Sequence, residues 1–297
     1  MASLIPLAVQ AQTLYVASLN TNTIDVLNAT TGRTLPGYNF DGLSGPFGLA
    51  LSGNNLFVSN YTGSTVAKYN AGGGAALLSF TTPTNQARPA GLVVSGNSLY
   101  VASYGQSVVR KFDATTGAAV AGFVSPTGLN GPYGLALSGN TLYVASSGSN
   151  MVGAYDATTG LPVAGFARPT GLNFPVGLTL GGNVLYVADT NNATVRAYNA
   201  ATGAPITSFA PTGLNHPLGL ALLNNVLYVT DNGVNGIYKL DATTGARLGF
   251  IYSTGVSEPA FIAVADVPEP GTWTLLLLAG GLAAGARRFV PGPRSRA

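Results

Sequence analysis

The sequence contains no cysteine among its 297 residues. Disulfides, thiolate catalysis and thiolate-bound zinc are therefore excluded, although the absence identifies no cellular compartment. Histidine is almost as scarce, because His216 is the single example. Charged residues form only 8% of the chain, against about 25% in an average soluble protein.

The few charges are unevenly distributed. The chain has 13 basic and 10 acidic residues and a net charge of +3. Four of the basic residues and one acid, Glu269, lie in residues 267–297, which leaves nine of each sign in the rest of the chain. Nucleic-acid binding requires a basic stripe on the folded domain, so we expect no nucleic-acid partner.

What the sequence does contain is a repeat of 42 or 43 residues. Each copy carries an aromatic residue followed by valine, in strings such as GLALSGNTLYVAS. The aromatic residues are Tyr15, Phe57, Tyr100, Tyr143, Tyr186 and Tyr228. A period of about 40–45 residues made of strand and turn signals is typical of a β-propeller blade. The sequence therefore predicts an all-β, six-bladed β-propeller over residues 12–266.

One copy, residues 132–166, shows four strand signals, at 134–137, 141–145, 151–155 and 163–166. Alternating apolar and polar or small residues, separated by Gly-Asn and Asp-Ala-Thr-Thr-Gly turns, indicate a four-stranded antiparallel blade. The Asx residue that opens the second kind of turn recurs as Asn28, Asn70, Asp113, Asp156, Asn199 and Asp241. We interpret these residues as turn caps rather than metal ligands.

The order of the signals also predicts how the ring closes. First-strand signals occur at Gly48, Gly91, Gly134, Gly177 and Gly219, and a sixth lies at residues 261–264. The chain thus opens with a second strand and ends with a first strand, which we expect to pair and close the ring. An alternative first strand lies at residues 7–9, but Pro259 matches the proline that precedes the other first strands.

The segment LYVADTNNATVRAYNAATG, residues 185–203, resembles the NHL and YVTN repeats of bacterial β-propellers. The resemblance covers residues 12–265 and implies the propeller fold. It restricts the function much less than the fold. Such propellers mostly bind proteins or polymers. Gluconolactonase-like relatives are metal-dependent hydrolases.

The composition changes at Val267, where VPEPGTW is followed by TLLLLAGGLAAGA and two arginines. This order resembles a PEP-CTERM sorting signal, whose matching residues here are Val267, Pro268, Glu269, Pro270, Trp273, Arg287 and Arg288. The resemblance implies recognition and cleavage by an exosortase, a membrane protease, and delivery to the cell surface or its exopolysaccharide.

Membrane physics agrees with that expectation. The apolar stretch 273–286 has 14 residues, fewer than the about 20 of a stable span. We expect a short apolar helix that enters the inner membrane transiently, with Arg287 and Arg288 on the cytoplasmic side and the propeller outside. A core helix is the alternative. Residues 1–11 end in AVQA and are expected to be the remnant of a signal peptide.

Candidate catalytic chemistry is confined to one pair of residues. His216 and Glu258 each precede a proline at the predicted channel mouth, in neighbouring blades. A histidine beside a carboxylate can act as a general base, which makes a propeller hydrolase or lactonase the alternative function. Solvated loop residues are the other interpretation, and it is the one that we favour.

The sequence predicts no metal site and no cofactor. Asp189 and Asp231 end adjacent second strands, and carboxylates of this kind bind hard cations. The same slot holds Ser18, Asn60, Ser103 and Ser146 in the other blades. A recurring turn cap explains this pattern better than an asymmetric metal cage.

Candidate ligand-binding residues lie in two loop sets that share a face in propellers. They are Tyr61, Arg88, Tyr104, Phe174, Asn191 and Asn192. Aromatic rings beside amides suit stacking on a sugar and hydrogen bonding to its hydroxyls, whereas ordinary polar loop tips are the alternative.

Together these features predict three regions: residues 1–11, the propeller 12–266 and the sorting signal 267–297. The expected function is that of an exported, non-catalytic propeller that binds protein or polysaccharide at the cell surface or in the exopolysaccharide matrix. Besides the hydrolase, a cytoplasmic scaffold is an alternative, and it would keep an uncleaved C-terminus.

Overall fold

The structure is a computed structural model that describes residues 12–81, 86–252 and 255–266. Within these ranges the chain forms six antiparallel sheets, and its only helices are four single 3-10 turns. The predicted signal remnant 1–11 and the sorting signal 267–297, with its motif residues and its short helix, lie outside the described residues.

The six sheets are the six blades, which we number along the chain. Blade 1 contains β1 (Gln12–Ser18), β2 (Thr23–Asn28) and the last strand, β19 (Pro259–Asp266). Blade 2 contains β3 (Pro46–Ser52), β4 (Asn55–Asn60) and β5 (Thr65–Asn70); blade 3 contains β6 (Pro89–Ser95), β7 (Ser98–Ser103) and β8 (Val108–Asp113). Blade 4 contains β9 (Pro132–Ser138), β10 (Thr141–Ser146) and β11 (Met151–Asp156); blade 5 contains β12 (Pro175–Gly181), β13 (Val184–Asp189) and β14 (Thr194–Asn199). Blade 6 contains β15 (Pro217–Leu223), β16 (Val226–Asp231), β17 (Gly236–Asp241) and β18 (Arg247–Ile251). The 3-10 turns are Tyr104–Gln106, Ser147–Ser149, Thr190–Asn192 and Asn232–Val234.

The inner strands of the blades form a ring in which each lies beside the next, and β19 lies beside both β15 and β3. The close packing of neighbouring inner strands explains why glycine recurs in them. A Cβ placed on Gly134 would lie 2.0 Å from the carbonyl oxygen of Val176 in the next blade. Glycine is therefore required where neighbouring inner strands pack backbone to backbone.

The predicted closure of the ring is confirmed by the pairing of β19 with β1. The two strands are antiparallel, with Gln12 opposite Asp266 and Tyr15 opposite Ala263. This pairing covers the edge of β1 with a strand that is about 250 residues away in sequence, so the N- and C-terminal parts of the described chain stabilise each other.

The predicted fourth strand is wrong for five of the six blades. Among the residues that the structure describes, only blade 6 has one, β18, whereas blade 4 has a single bridge between Tyr155 and Pro162. The N–H of Val163 still donates to the carbonyl of Ala154 at 2.9 Å. The chain then turns away at Gly165, whose φ is +81°, a conformation that a continuing strand cannot adopt. The apolar pattern of 163–166 did not reveal this turn.

The aromatic residue that defines the repeat joins consecutive blades. The Tyr143 hydroxyl donates to the carbonyl of Ala200 in the next blade at 2.8 Å. The same bond recurs from Tyr15 to Ala71, from Tyr100 to Ala157 and from Tyr186 to Ala242. Each acceptor lies in the Asx turn, so the two sequence signatures of the repeat meet at the blade interface.

The Asx turns themselves are capped as the sequence predicts. The Oδ1 atom of Asp156 accepts the backbone N–H groups of Thr158 at 2.9 Å and Thr159 at 2.7 Å. The N–H of Thr159 is the main cause that lowers the pKa of Asp156. Asn28 and Asn199 accept the equivalent bonds in their own turns, which shows that the slot requires an acceptor oxygen rather than a charge.

Candidate ligand site on the loop face

Two sets of loops lie side by side on one side of the ring, which we call the loop face. One set precedes the inner strands, and the other joins the second and third strands. The backbone N–H of Tyr61 donates to the carbonyl of Gly45 at 2.7 Å, and the N–H of Tyr104 donates to that of Arg88 at 3.1 Å. All six blades have this bond, whose other donor and acceptor pairs are Ser147 and Gly131, Thr190 and Phe174, Asn232 and His216, and Leu19 and Glu258.

The residue before the inner-strand proline adopts an unusual backbone conformation. Its φ is positive in five blades, and three of these residues are not glycine: Arg88 at +51°, Phe174 at +57° and Glu258 at +47°. Positive φ costs about 1 kcal/mol or more for a residue with a side chain. The loops therefore hold Arg88 and Phe174 at the mouth of the ring in a conformation that local sequence disfavours.

Six aromatic side chains pack around this mouth, and we call them the mouth cluster: Phe47, Tyr61, Tyr104, Tyr133, Phe174 and Phe261. The ring centroids of Tyr104 and Tyr133 are 4.7 Å apart, and those of Tyr133 and Phe174 are 5.7 Å apart. Tyr61 stacks on Tyr133 with an interplanar angle of 7°. The guanidinium of Arg88 lies 5.9 Å from the Tyr61 ring centroid, within cation–π range.

The cluster has a buried floor and an accessible top. Phe47 and Phe261 are buried, whereas Tyr61, Tyr104, Tyr133 and Phe174 are partly exposed and Arg88 is exposed. Burial raises the pKa of Tyr133, and its hydrogen bond with Tyr61 adds to the effect. The Tyr133 phenol therefore stays neutral at pH 7, where it can both donate and accept a hydrogen bond.

The mouth cluster breaks the symmetry of the repeat. The loop position of Tyr61 and Tyr104 holds Ser147, Thr190, Asn232 and Leu19 in the other blades. The inner-strand position of Phe47 and Tyr133 holds Ala90, Val176, Leu218 and Ala260. Aromatic residues at these two positions are thus confined to a few blades, so the mouth cluster is specific to one part of the ring.

The sequence predicted Tyr61, Arg88, Tyr104 and Phe174, and the structure brings these four residues together. Reasoning from loops missed Phe47, Tyr133 and Phe261 because they belong to inner strands. Their signal is the residue that follows the inner-strand proline, which is aromatic only at Phe47 and Tyr133. Phe261 occupies the slot that is glycine in the other blades, and its ring lies 5.3 Å from that of Phe47.

The predicted amides Asn191 and Asn192 are held elsewhere. The side-chain amide of Asn192 donates to the carbonyl of Gly171 at 3.0 Å and to Asp189 at 2.8 Å. The backbone N–H of Asn191 donates to the carbonyl of Asn173 at 3.1 Å. Both residues are exposed on the loop face, but their bonds stay within blade 5 and the loop that precedes it. In the part of the chain that the structure describes, neither side chain bonds a residue of the mouth cluster.

The structure places His216 and Glu258 before the inner strands of neighbouring blades. The backbone N–H of His216 donates to Asp231 at 2.9 Å, and that of Glu258 donates to Asn235 at 2.9 Å. The His216 side chain is exposed and that of Glu258 is partly exposed. No hydrogen bond or ion pair joins their side chains in the part of the chain that the structure describes.

Asp189 and Asp231 are fully buried and act as loop clamps. The carboxylate of Asp231 accepts the backbone N–H groups of Asn215 at 2.7 Å, His216 at 2.9 Å and Gly233 at 3.0 Å. The carboxylate of Asp189 accepts the backbone N–H of Asn173 and forms an ion pair with the Arg196 guanidinium at 2.6 Å. Over the described ranges, no three His, Cys, Asp or Glu residues are grouped so as to hold a metal ion.

The fold is shared with a protein of very different sequence. A crystal structure of a nidogen/laminin complex contains a chain with a TM-score of 0.72 and 16% identity, and the match covers 86% of this chain and 98% of that chain. At this identity the likeness shows the fold alone. The computationally designed Ika4 protein aligns with a TM-score of 0.45 and 18% identity, over 56% of this chain and 98% of its own. No curated protein matches the sequence.

Two family comparisons concern the chain itself. The PEP-CTERM protein-sorting motif matches residues 266–288, which confirms the sorting signal and indicates an exported protein sorted by an exosortase. No helix among residues 12–81, 86–252 and 255–266 is long and apolar enough to cross a membrane. The family described as "Outer membrane protein assembly factor BamB" matches residues 20–160 and 106–205. Because these matches together cover residues 20–205, more than half of the sequence, the chain belongs to this family of repeat proteins.

Proposed function

We propose that this chain is an exported, non-catalytic β-propeller of the NHL/YVTN type that binds a polysaccharide at the cell surface or in the extracellular matrix. The ligand lies on the mouth cluster. The single observation that carries this proposal is the group of partly exposed rings of Tyr61, Tyr104 and Phe174 beside Arg88, in blades that are otherwise near copies.

The chemistry of the mouth cluster suits a sugar polymer. The apolar face of a pyranose packs on a tyrosine ring, while phenol hydroxyls bond its hydroxyl groups. Arg88 adds donors that pair well with a carboxylate or with ring hydroxyls. The neighbouring loops are held by backbone hydrogen bonds and by the buried Asn60 and Asp189, which accept the N–H groups of Ser44 and Asn173. The rings are therefore preorganised and little entropy is lost on binding.

The sorting signal determines where this binding takes place. The last described strand, β19, ends at Asp266, and the sorting motif begins at Val267. We expect exosortase to cleave near Val267–Pro270, after transient insertion of the apolar segment into the inner membrane. Such cleavage removes no residue of β19, so the ring remains closed in the mature protein.

The test is a titration of the purified full chain with exopolysaccharide prepared from its own cells. Tyr61→Ala combined with Tyr104→Ala should weaken binding at least tenfold, because each stacked ring contributes about 0.5–1.5 kcal/mol beyond its buried area. Tyr252→Ala is the matched control, since Tyr252 is 70% exposed and lies outside the mouth cluster. Unchanged binding in the double variant would refute the proposed site.

The hydrolase alternative is tested in parallel. His216→Ala should leave polysaccharide binding intact, and we expect no lactonase or esterase activity for it to remove. An activity of the full chain that His216→Ala or Glu258→Gln abolishes would replace the binding proposal with a catalytic one.

A further inference from the structure

Blade 5 carries a groove on the outer edge of the ring, where its sheet lacks a strand. The groove lies between β14 and residues 205–211 and has a volume of about 350 Å³. Its lining includes Val195 and Arg196 on one side and Ile206, Phe209 and Pro211 on the other. We call it the rim groove.

Blade 6 shows what fills the same position. There β18 pairs with β17, so that Ile251 lies opposite Ile237 and Gly249 opposite Lys239. In blade 5 the pairing ends after a single bridge between Tyr198 and Pro205. The N–H of Ile206 donates to the carbonyl of Ala197 at 2.8 Å, and the chain then leaves β14.

Val195 occupies the position in β14 that Ile237 occupies in β17. Val195 lies opposite Ala188 in β13, as Ile237 lies opposite Thr230 in β16. Outward and inward groups alternate along an antiparallel strand. Because Ala197 bonds outward to Ile206, Val195 is the next residue whose N–H and C=O point outward, toward the rim groove. Its carbonyl accepts the Thr194 hydroxyl at 3.3 Å, so the N–H is the group left for a partner.

A one-residue deletion distinguishes the edge of blade 5: among the described residues, the N–H of Val195 lacks the partner that its equivalent has in blade 3, although blade 3 keeps a similar groove of about 310 Å³. Blade 3 continues as Phe123-Val124-Ser125-Pro126 and blade 4 as Phe166-Ala167-Arg168-Pro169, but blade 5 has only Phe209-Ala210-Pro211. In blade 3 the extra residue covers the edge, because the Ser125 hydroxyl accepts the N–H of Val109 at 3.0 Å. In blade 4 the Arg168 guanidinium reaches the Met151 sulfur at 3.8 Å. Blade 5 has neither cover.

We infer that the rim groove binds an extended segment of a partner polypeptide, which adds to β14 as an antiparallel fourth strand. The occupant follows from β18, which fills the equivalent edge with backbone hydrogen bonds and with Phe250 packed 4.9 Å from the Tyr238 ring. Strand addition to an open sheet edge takes its affinity from main-chain bonds and its specificity from alternate side chains. The apolar wall of Ile206 and Phe209 selects an apolar residue at those positions.

The test uses a peptide with the β18 sequence, Arg-Leu-Gly-Phe-Ile-Tyr, because this is the strand that the fold already accepts. Hydrogen exchange in the full chain should show new protection of the Val195 amide when the peptide is present. N-methylation at the peptide position of Ile251, whose partner in blade 6 is Ile237, should weaken binding at least tenfold. N-methylation at the position of Phe250, whose N–H points away, is the control and should weaken it far less.

A variant of the chain provides the complementary test. One serine inserted between Ala210 and Pro211 restores the loop length of blade 3, and its hydroxyl should cover the Val195 amide and weaken peptide binding at least tenfold. Absence of binding at millimolar peptide, protection of Ile237 in place of Val195, or unchanged affinity after the insertion would each overturn the inference. Tyr61→Ala with Tyr104→Ala should leave peptide binding unchanged, which separates this site from the mouth cluster.

Discussion

The hydroxyl of Tyr143 donates a 2.8 Å hydrogen bond to the carbonyl of Ala200, 57 residues further along the chain and in the next blade. Both residues are buried. The bond links the aromatic of one repeat to the Asx turn of the following repeat, so the 43-residue spacing of the sequence reappears as a physical contact between blades.

Tyr143→Phe should therefore destabilise the ring, because the Ala200 carbonyl loses its donor in a buried place. We expect the free energy of unfolding to fall by about 1–2 kcal/mol, measured by urea denaturation. Tyr155→Phe is the control, since the buried Tyr155 hydroxyl has no hydrogen-bond partner among the described residues. Its loss should cost less than about 0.5 kcal/mol. Equal losses in the two variants would contradict this interpretation.

Blade 2 lacks the tyrosine hydroxyl, which allows a second test of the contact between consecutive blades. Phe57 has no hydroxyl, and the carbonyl of Ala114 accepts from the Lys68 ammonium at 3.0 Å, whereas the carbonyl of Ala157 accepts from both the Tyr100 hydroxyl and the Lys111 ammonium. Lys68→Met should lower the free energy of unfolding by about 1–2 kcal/mol. Adding Phe57→Tyr should recover most of that loss, because the new hydroxyl lies where tyrosine bonds the next blade elsewhere. If the free-energy changes of the two substitutions are simply additive in a double-mutant cycle, the Lys68 ammonium and a hydroxyl at residue 57 do not serve the same carbonyl.

Gly134→Ala should be among the most destabilising single changes. Its Cβ would lie 2.0 Å from the Val176 carbonyl oxygen, and backbone must move to relieve the contact. We expect a loss of about 3 kcal/mol or incomplete folding, read from the thermal unfolding midpoint and circular dichroism. Gly73→Ala is the matched substitution with no neighbour within 4 Å, and it should be nearly neutral. A neutral Gly134→Ala would show that the inner strands are further apart.

Acid should weaken the Asx turns that carry aspartate. Hydrogen bonds from the following threonines, chiefly the backbone N–H of Thr159 and of Thr244, lower the pKa of Asp156 and of Asp241 in the folded state. A carboxylate with a lowered folded pKa contributes stability above its unfolded pKa, about 4, and loses it as the pH falls further. The thermal unfolding midpoint, measured at pH values from 6 to 2, should therefore stay constant down to about pH 4 and decrease at lower pH.

Asp156→Asn with Asp241→Asn should flatten that acid dependence. Asparagine occupies the equivalent turn positions at Asn28 and Asn199 and accepts the same backbone bonds, so the variant should still fold at neutral pH. An unchanged pH profile in the double variant would mean that other groups cause the acid sensitivity.

Much of the architecture could be predicted from sequence because the same strand and turn signals occur six times. The spacing of Tyr143 and its equivalents gave the number of blades, and Pro259 identified the strand that closes the ring. In blade 4 the fourth-strand prediction failed because residues 163–166 have a strand-like apolar pattern, while the deciding feature is the positive φ of Gly165. Local sequence does not distinguish that glycine from Gly249, which stays inside β18.

The mouth cluster could be predicted only in part for a different reason. Tyr61 and Tyr104 stand out because aromatic residues are unusual in polar loops. Phe47 and Tyr133 look like ordinary strand residues, and only the ring geometry turns their side chains to the shared mouth. The clamping of Asn192 by Gly171 and Asp189 likewise depends on how the loop folds, which its composition does not reveal.

The most direct test of the whole account is a disulfide across the seam that closes the ring, because the loop face exists only if β19 pairs with β1. The natural chain has no cysteine, so Thr13→Cys with Ala265→Cys, which lie opposite each other, introduces the only pair. We predict an intramolecular disulfide that forms under mild oxidation and raises the thermal midpoint until it is reduced, whereas Asn140→Cys with Ala265→Cys should form none. Failure of the first pair to cross-link within one chain would contradict the closed ring.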